Sequence, residues 1–368
     1  MIPRSVAIEE SVARPTPAPD SGEPDAPLET IVLRRPEELE DWRAEWLSLW
    51  RRCPSATPFQ TPAWLVAWWR HLGDGELCTL ALRRSGRLVA LAPLYARGTP
   101  GSARRRFLLL GSGASDRLDL LAEPGDARSA AAAALAWLSE HESPETCELE
   151  ELPPSSGWLL APAPEGWTAE SERMPEPSPR LALPTEPEGL EEKVPAHRLA
   201  RLRQERRRAA RAGALELRRA REHDVGEIGE SFLRLHRARW RARGLPGVTS
   251  LPAVCAFLRE ALRELERMGA LRLYALDLDR RTIGALLAFA AHGSVSFYLS
   301  GFDPRFAALS PGSLLVGHAI EESVREGARE FDFLRGAEPY KYRWGARDEW
   351  NHRRVFRRAS AGEAREKE

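Results

Sequence analysis

The sequence predicts a mixed α+β chain of two similar lobes, each a mostly antiparallel sheet flanked by helices. Three observations carry this. At 368 residues with 43% apolar content, the chain is longer than one core usually serves and rich enough to fill two. The same order of patterns, helices first, then a meander of apolar runs, then helix and strand, occurs twice. No strict period of about 20–50 residues accompanies that duplication, so two related domains are expected and not a solenoid.

The first lobe begins with Leu39, Trp42, Trp46, Leu49 and Trp50, whose spacings of three and four make one aromatic stripe on a helix from Pro36 to about Arg52. A second helix runs from Pro62 to Leu72, with Thr61 as cap and Pro62 at the first position, where a missing N–H is tolerated. Apolar runs at 77–83 and 87–95, joined by Arg84-Ser85-Gly86, predict a hairpin. Strands near 106–110 and 118–121, an alanine-rich helix over 127–140 and a strand at 147–152 complete the lobe. Residues 153–187 are dense in proline, serine and glutamate, and form the end of the first lobe and a crossover.

The second lobe opens with a basic helix, 197–212, followed by a strand at 215–218 and helices at 224–242 and 252–268. Strands at 271–278, 282–291 and 294–300 precede a helix at 311–326, ended by Gly327, a strand at 330–334 and a last strand near 353–358. The expected division is therefore a tail at 1–27, lobes at 28–184 and 185–360, and a tail at 361–368. The proline-, alanine- and acid-rich tail at 1–27 cannot bury enough apolar surface to offset its ordering entropy.

Charge and cysteines narrow the function. Lysine plus arginine and aspartate plus glutamate both total 54, so no global field draws the chain to DNA or an anionic membrane, and electrostatic binding must be local. Cys53, Cys78, Cys147 and Cys255 are scattered, with no C-x-x-C pair and no histidine at ligand spacing, which predicts no structural metal and a reducing, cytoplasmic setting. No apolar run reaches the roughly 18–20 residues that span a bilayer, and no signal peptide is evident, so membrane insertion is not expected.

Two segments could carry chemistry. Ser310-Pro311-Gly312-Ser313-Leu314 opens a helix with a cap, a first-turn proline and a glycine that leaves the amides open, which suits either a well-capped start or an anion site. Downstream, Phe331 and Phe333 alternate with Asp332 along a strand with one wet face, and Arg335, Glu338, Tyr340, Lys341 and Trp344 fall at or after its C-terminal end. Acyl transfer needs a proton acceptor and donors for the oxyanion and leaving group; Asp332 and Glu338 are candidate bases, Tyr340 and Lys341 candidate donors. A solvated charged turn is the alternative. Asp116 and Asp119 could bind acceptor hydroxyls, while His236 and Trp240, one helical turn apart, could line the cleft or pack. Seven arginines within the helix 197–212, countered only by Glu205, suit phosphate binding or a solvated helix paired with acidic neighbours. No cysteine or serine stands beside a histidine in a nucleophile motif, so direct attack without a covalent intermediate is expected.

The runs Y-L-S-G-F-D-P-R-F, S-P-G-S-L-L, E-G-A-R-E-F-D-F-L-R-G and E-P-Y-K-Y-R-W-G resemble, in this order, the C-terminal half of CelD/BcsL-type acetyltransferases of the GNAT superfamily. The first lobe agrees through T-P-F-Q-T-P-A-W, L-A-P-L-Y and L-L-G-S-G-A-S-D-R-L-D-L, so the resemblance covers roughly residues 36–358. It implies a tandem GNAT architecture like that of the FemABX transferases, with a small-molecule acyl donor such as acetyl-CoA, or an aminoacyl-tRNA, and a sugar-like acceptor in cellulose or exopolysaccharide biosynthesis. A non-catalytic accessory protein of polysaccharide production is the alternative. The donor's phosphates are expected at Ser310, Gly312, Ser313 and Leu314, though only Gly312 matches the superfamily's usual phosphate loop. Only the second lobe is expected to be competent.

Overall fold

A computed structural model describes residues 26–99, 102, 105–142 and 144–359. Apart from residues 26 and 27, the expected tails at 1–27 and 361–368 lie outside the described residues. The second lobe is one six-stranded sheet, in the order Arg180–Ala182, Glu330–Asp332, Ser294–Phe302, Arg281–Ala291, Leu271–Leu278 and Leu215–Arg219. All neighbours are antiparallel except Ser294–Phe302 and Glu330–Asp332, which run parallel. The strands are apolar on both faces because both are covered. Leu271, Leu273 and Ala275 belong to the core beneath helices Val225–Arg241 and Pro252–Arg267. Tyr274, Leu276 and Leu278 face the opposite way, toward helices Ala196–Ala210 and Pro311–Arg325.

The first lobe holds two sheets, one of four strands (Glu29–Leu33, Thr79–Arg84, Arg87–Ala92, Leu121–Ala122) and one of six. The latter runs Glu76–Leu77, Leu94–Arg97, Arg106–Leu109, Thr146–Leu152, His352–Arg358, Trp167–Arg173. Its fifth member is the last strand among the described residues, which lies antiparallel between Thr146–Leu152 and Trp167–Arg173. Conversely, Arg180–Ala182 leaves the first lobe and pairs with Glu330–Asp332 in the second lobe's sheet. The lobes thus exchange a strand, and the boundary expected at 184/185 does not separate the sheets. An apolar pattern identifies a strand but carries no address for its partner.

Three smaller expectations change. The helix expected over 36–52 is two, Pro36–Asp41 and Arg43–Arg52, with Trp42 between them. Of the strand expected at 118–121 only Leu121–Ala122 pairs. Trp167–Arg173 was hidden by its polar composition, W-T-A-E-S-E-R, which reflects an edge strand with a wet face.

The lobes meet through an apolar core, in which helix Pro62–Leu72 packs against Pro252–Arg267. At its centre Phe59, Trp64, Phe257, Phe289 and Tyr298 touch edge to face, with Trp64 and Phe257 centroids 4.6 Å apart. The tryptophan stripe read from the sequence continues into this core: Trp46 donates to the Gln60 carbonyl at 2.9 Å and is fully buried. All four cysteines are buried free thiols.

Candidate active site between the lobes

The parallel pairing of Ser294–Phe302 with Glu330–Asp332 lasts only through Ser296 and Asp332. Beyond that point the strands part. On its other side, Phe297 pairs with Ala288 and Leu299 with Leu287, leaving Tyr298 as the extra residue of a β-bulge. The bulge re-aims Tyr298, whose hydroxyl donates to the Ala114 carbonyl of the first lobe at 2.8 Å. Leu334 adopts a left-handed backbone, φ 57°, which a branched aliphatic residue takes only where its surroundings impose it. The gap left by the two strands opens into a cavity of ≈ 450 Å³. Its walls include Phe297–Leu299 and Phe333–Arg335 from the parted strands, Val254 and Phe257 from the second lobe, and Ser112–Ala114 with Asp116 from the first.

Asp116 is the acid of this cavity. Burial, opposed by Arg335 and reinforced by Glu151, raises its pKa from 3.8 to about 6. One carboxylate oxygen lies 3.4 Å from Arg335, which binds Glu151 at 2.7 Å. Asn351, just before the exchanged strand, donates to both the Asp116 carbonyl at 2.7 Å and Glu151 at 2.8 Å. The loop carrying Asp116 is therefore tied to the other lobe by main chain and side chain alike.

Tyr340, Lys341 and Glu338 line the same cavity, on a one-turn helix, Pro339–Tyr342, that the sequence did not reveal. The Tyr340 ring packs against Phe297 and Phe333, and its hydroxyl has no hydrogen-bond partner among the described residues. Burial, with Glu338 adding, holds that phenol well above its ordinary pKa, so it stays a proton donor. Lys341 is buried, and its Nζ donates to the carbonyls of Leu334, Arg335 and Gly336 at 2.9, 2.7 and 3.0 Å and pairs with Glu338 at 2.9 Å. All its protons are engaged in holding the left-handed turn, so it positions the cavity wall and offers none to a ligand. Glu338 is exposed at the rim.

Other candidates lie elsewhere. Asp332, expected as a base, is buried and bound by Arg117 at 2.9 Å and Arg180 at 3.2 Å, with its second oxygen accepting the Leu334 amide at 2.8 Å. A carboxylate so committed ties the lobes together. It borders a second, larger cavity of ≈ 830 Å³ at the beginnings of the same strands, as does Asp119. Asp119 accepts from Ser156 at 2.7 Å, and burial raises its pKa to about 7. The larger cavity holds the pairs that Arg117 and Arg180 make with Asp332 and Glu349, whereas the smaller one meets the parted strands.

His236 is internal. Trp240 donates to its Nε2 at 2.9 Å, so Nδ1 carries the proton and meets Thr249 at 2.9 Å, while burial lowers its pKa to about 4. Trp344 is buried under the Arg198 guanidinium, 4.3 Å from its ring centroid. At the helix start, the amides of Ser313 and Leu314 donate to the Ser310 carbonyl, and the Ser313 hydroxyl joins Arg198 and Glu205. Arg208 donates to the Ser310 hydroxyl at 2.8 Å. Ser310, Gly312, Ser313 and Leu314 line neither cavity. In the basic helix, Arg198 and Glu205 form a buried pair, Arg201 also binds Glu205, and Arg203 and Arg206 pair with Glu191 and Glu321. Sequence reasoning missed Tyr298, because a β-bulge leaves no mark in spacing.

Among the described residues no cluster of His, Cys, Asp or Glu could hold a metal ion, and no helix is long and apolar enough to cross a membrane. The family model described as acetyltransferase (GNAT) domain matches residues 196–342. No curated protein matches the chain. Among solved structures, the chain is similar in fold to FemX, with 10% identity and a TM-score of 0.61 over 89% of this chain and 96% of that one. A conserved protein of unknown function from Bacteroides thetaiotaomicron aligns at 11% identity and TM-score 0.57, over 89% and 100% of the two chains. The C-terminal domain of a putative lysylphosphatidylglycerol synthetase from Agrobacterium fabrum aligns at 12% and 0.56, over 89% and 93%. Residues 196–342 thus match an acetyltransferase (GNAT) domain model, and they belong to the second lobe of a fold similar to that of FemX, the lobe that carries the parted strands and the cavity beside them.

Proposed function

We infer that this chain is an acyltransferase that moves an acyl group from a thioester donor, in the simplest case acetyl-CoA, to an amine or hydroxyl of a sugar-like acceptor. The resemblance to CelD/BcsL-type proteins supports a role in cellulose or exopolysaccharide biosynthesis. The observation that carries the reading is the separation of two parallel strands beyond Ser296 and Asp332. It opens the cavity between Phe297–Leu299 and Phe333–Arg335, room into which the arm of a thioester donor can reach. The donor supplies an activated carbonyl carbon.

The residues of the cavity fit the rest. Asp116, with a pKa raised to about 6, is ionised near neutrality and takes the proton of the attacking amine or hydroxyl. The new bond forms at the carbonyl carbon as the carbon–sulfur bond breaks. Tyr340, kept protonated by burial, gives its proton to the departing thiolate, and Asp116 returns one to the phenol through solvent. Arg335 holds Asp116, and Lys341 holds the turn that places Arg335.

Isothermal calorimetry with acetyl-CoA, followed by thiol release with amino-sugar acceptors, tests the reading. Saturable binding and acceptor-dependent thiol release are expected. Absence of acetyl-CoA binding together with transfer from aminoacyl-tRNA would move the donor assignment to the FemABX type. Biological activity that survives Asp116→Asn and Tyr340→Phe in a folded protein would show a non-catalytic scaffold.

A further inference from the structure

The segment that joins helices Val225–Arg241 and Pro252–Arg267 is unusual in what it shows to water. Leu245, Val248 and Leu251 are 50%, 49% and 57% exposed, three of four large apolar side chains so exposed among the described residues. They are not on a loose loop. Thr249 at its centre is buried, and its carbonyl accepts from Arg237 at 2.8 Å and from the Cys255 thiol at 3.1 Å. Its hydroxyl meets His236. Gly247, at φ 68°, lies against the Trp240 ring so closely that a Cβ would come within 2.7 Å. The fold therefore holds three aliphatic side chains outward in fixed positions.

Charge surrounds them. From Ser231 to Arg259 there are six arginines and no aspartate or glutamate, in a chain whose charges balance overall. Arg237, Arg239 and Arg259 are engaged by Thr249, Ser300 and Glu230. Arg234, Arg241 and Arg243 are exposed and have no acidic partner among the described residues. Fixed aliphatic side chains in a segment with three exposed guanidiniums, Arg243 lying 5.7 Å from the Trp240 ring centroid, match the two-layer chemistry of an anionic bilayer surface, apolar beneath and phosphate above. Val248 also lines the cavity between the lobes, so the docked face and the cavity adjoin.

We propose that residues 241–251 dock on an anionic lipid surface. Leu245, Val248 and Leu251 enter the headgroup layer, and Arg234, Arg241 and Arg243 meet lipid phosphates. The docking does not depend on the acyl-transfer reading, and its test reads binding alone.

The full chain is mixed with vesicles of phosphatidylcholine, with and without phosphatidylglycerol, and sedimented at low and high salt. Binding to the anionic vesicles that weakens with salt is expected. Leu245→Ser/Val248→Ser/Leu251→Ser should reduce it to the level on pure phosphatidylcholine. Arg241→Gln/Arg243→Gln should weaken it about 30-fold, from about 1 kcal/mol per basic side chain near such a surface. All replaced side chains are exposed, and circular dichroism checks the fold; were the triple variant misfolded, the arginine variant alone would decide. No binding to anionic vesicles, or unchanged binding by both variants, overturns the proposal. So does a dimer seen by light scattering that the triple variant abolishes, since a second copy would then cover the segment.

Discussion

Asp116 and Tyr340 face one cavity from different lobes, and each makes a separable prediction. Because the Asp116 pKa is raised to about 6, the base form is lost as pH falls below that value, so kcat/KM should drop by one proton's slope there and level off above. Asp116→Asn should remove that limb and lower kcat roughly 10²–10⁴-fold, read from thiol release across pH 5–8. The same shift acts on stability with a definite sign. The folded state binds the proton more tightly than the unfolded chain, so this group's contribution is present below about pH 4 and is lost as pH rises through about 6. Tyr340→Phe keeps the ring packed on Phe297 and Phe333 and removes only the hydroxyl; kcat should fall about 10²-fold with little change in melting temperature. Asp116 was legible as a cleft residue, because it sits in a glycine-rich loop with no apolar periodicity. Asp332 was misread as a base because Arg117 and Arg180, which neutralise it, come from remote parts of the chain.

Strands and helices were easier to read than single side chains. Helices 62–72, 127–141, 252–267 and 311–325 and the meander 271–302 follow from spacing and from proline and glycine punctuation. What failed was pairing: the parting of two strands after three residues, a bulge at Tyr298 and a left-handed Leu334 are set by contacts between elements. The anchor between elements is open to measurement. Asp332→Ala would leave Arg117, buried at 4% side-chain exposure, without its closest partner. A loss of about 3–5 kcal/mol is expected, visible as a lower denaturant midpoint, because removing one member strands a buried charge. A midpoint within about 0.5 kcal/mol of the parent, with activity abolished, would instead return Asp332 to the catalytic role read from the sequence.

At the scale of the whole molecule, two cores are joined by a shared aromatic cluster and by reciprocal strands, so neither lobe is complete alone. Calorimetry should show a single transition, and a fragment ending at residue 184 should be insoluble or unfolded, since Thr146–Leu152 and Trp167–Arg173 would each face an empty lane. Two independent melting steps would contradict this. The duplication of pattern announced two lobes, but a repeated order of elements is silent about exchange between them. The exchange also sets a schedule for biosynthesis. On the ribosome the first lobe's earlier strands emerge first, yet their sheet lacks an inner member until residues 352–358 have followed. Until then that sheet must wait as an open template, exposed to neighbouring nascent chains, and its rescue by chaperones is expected to matter more than for a protein whose halves close in turn.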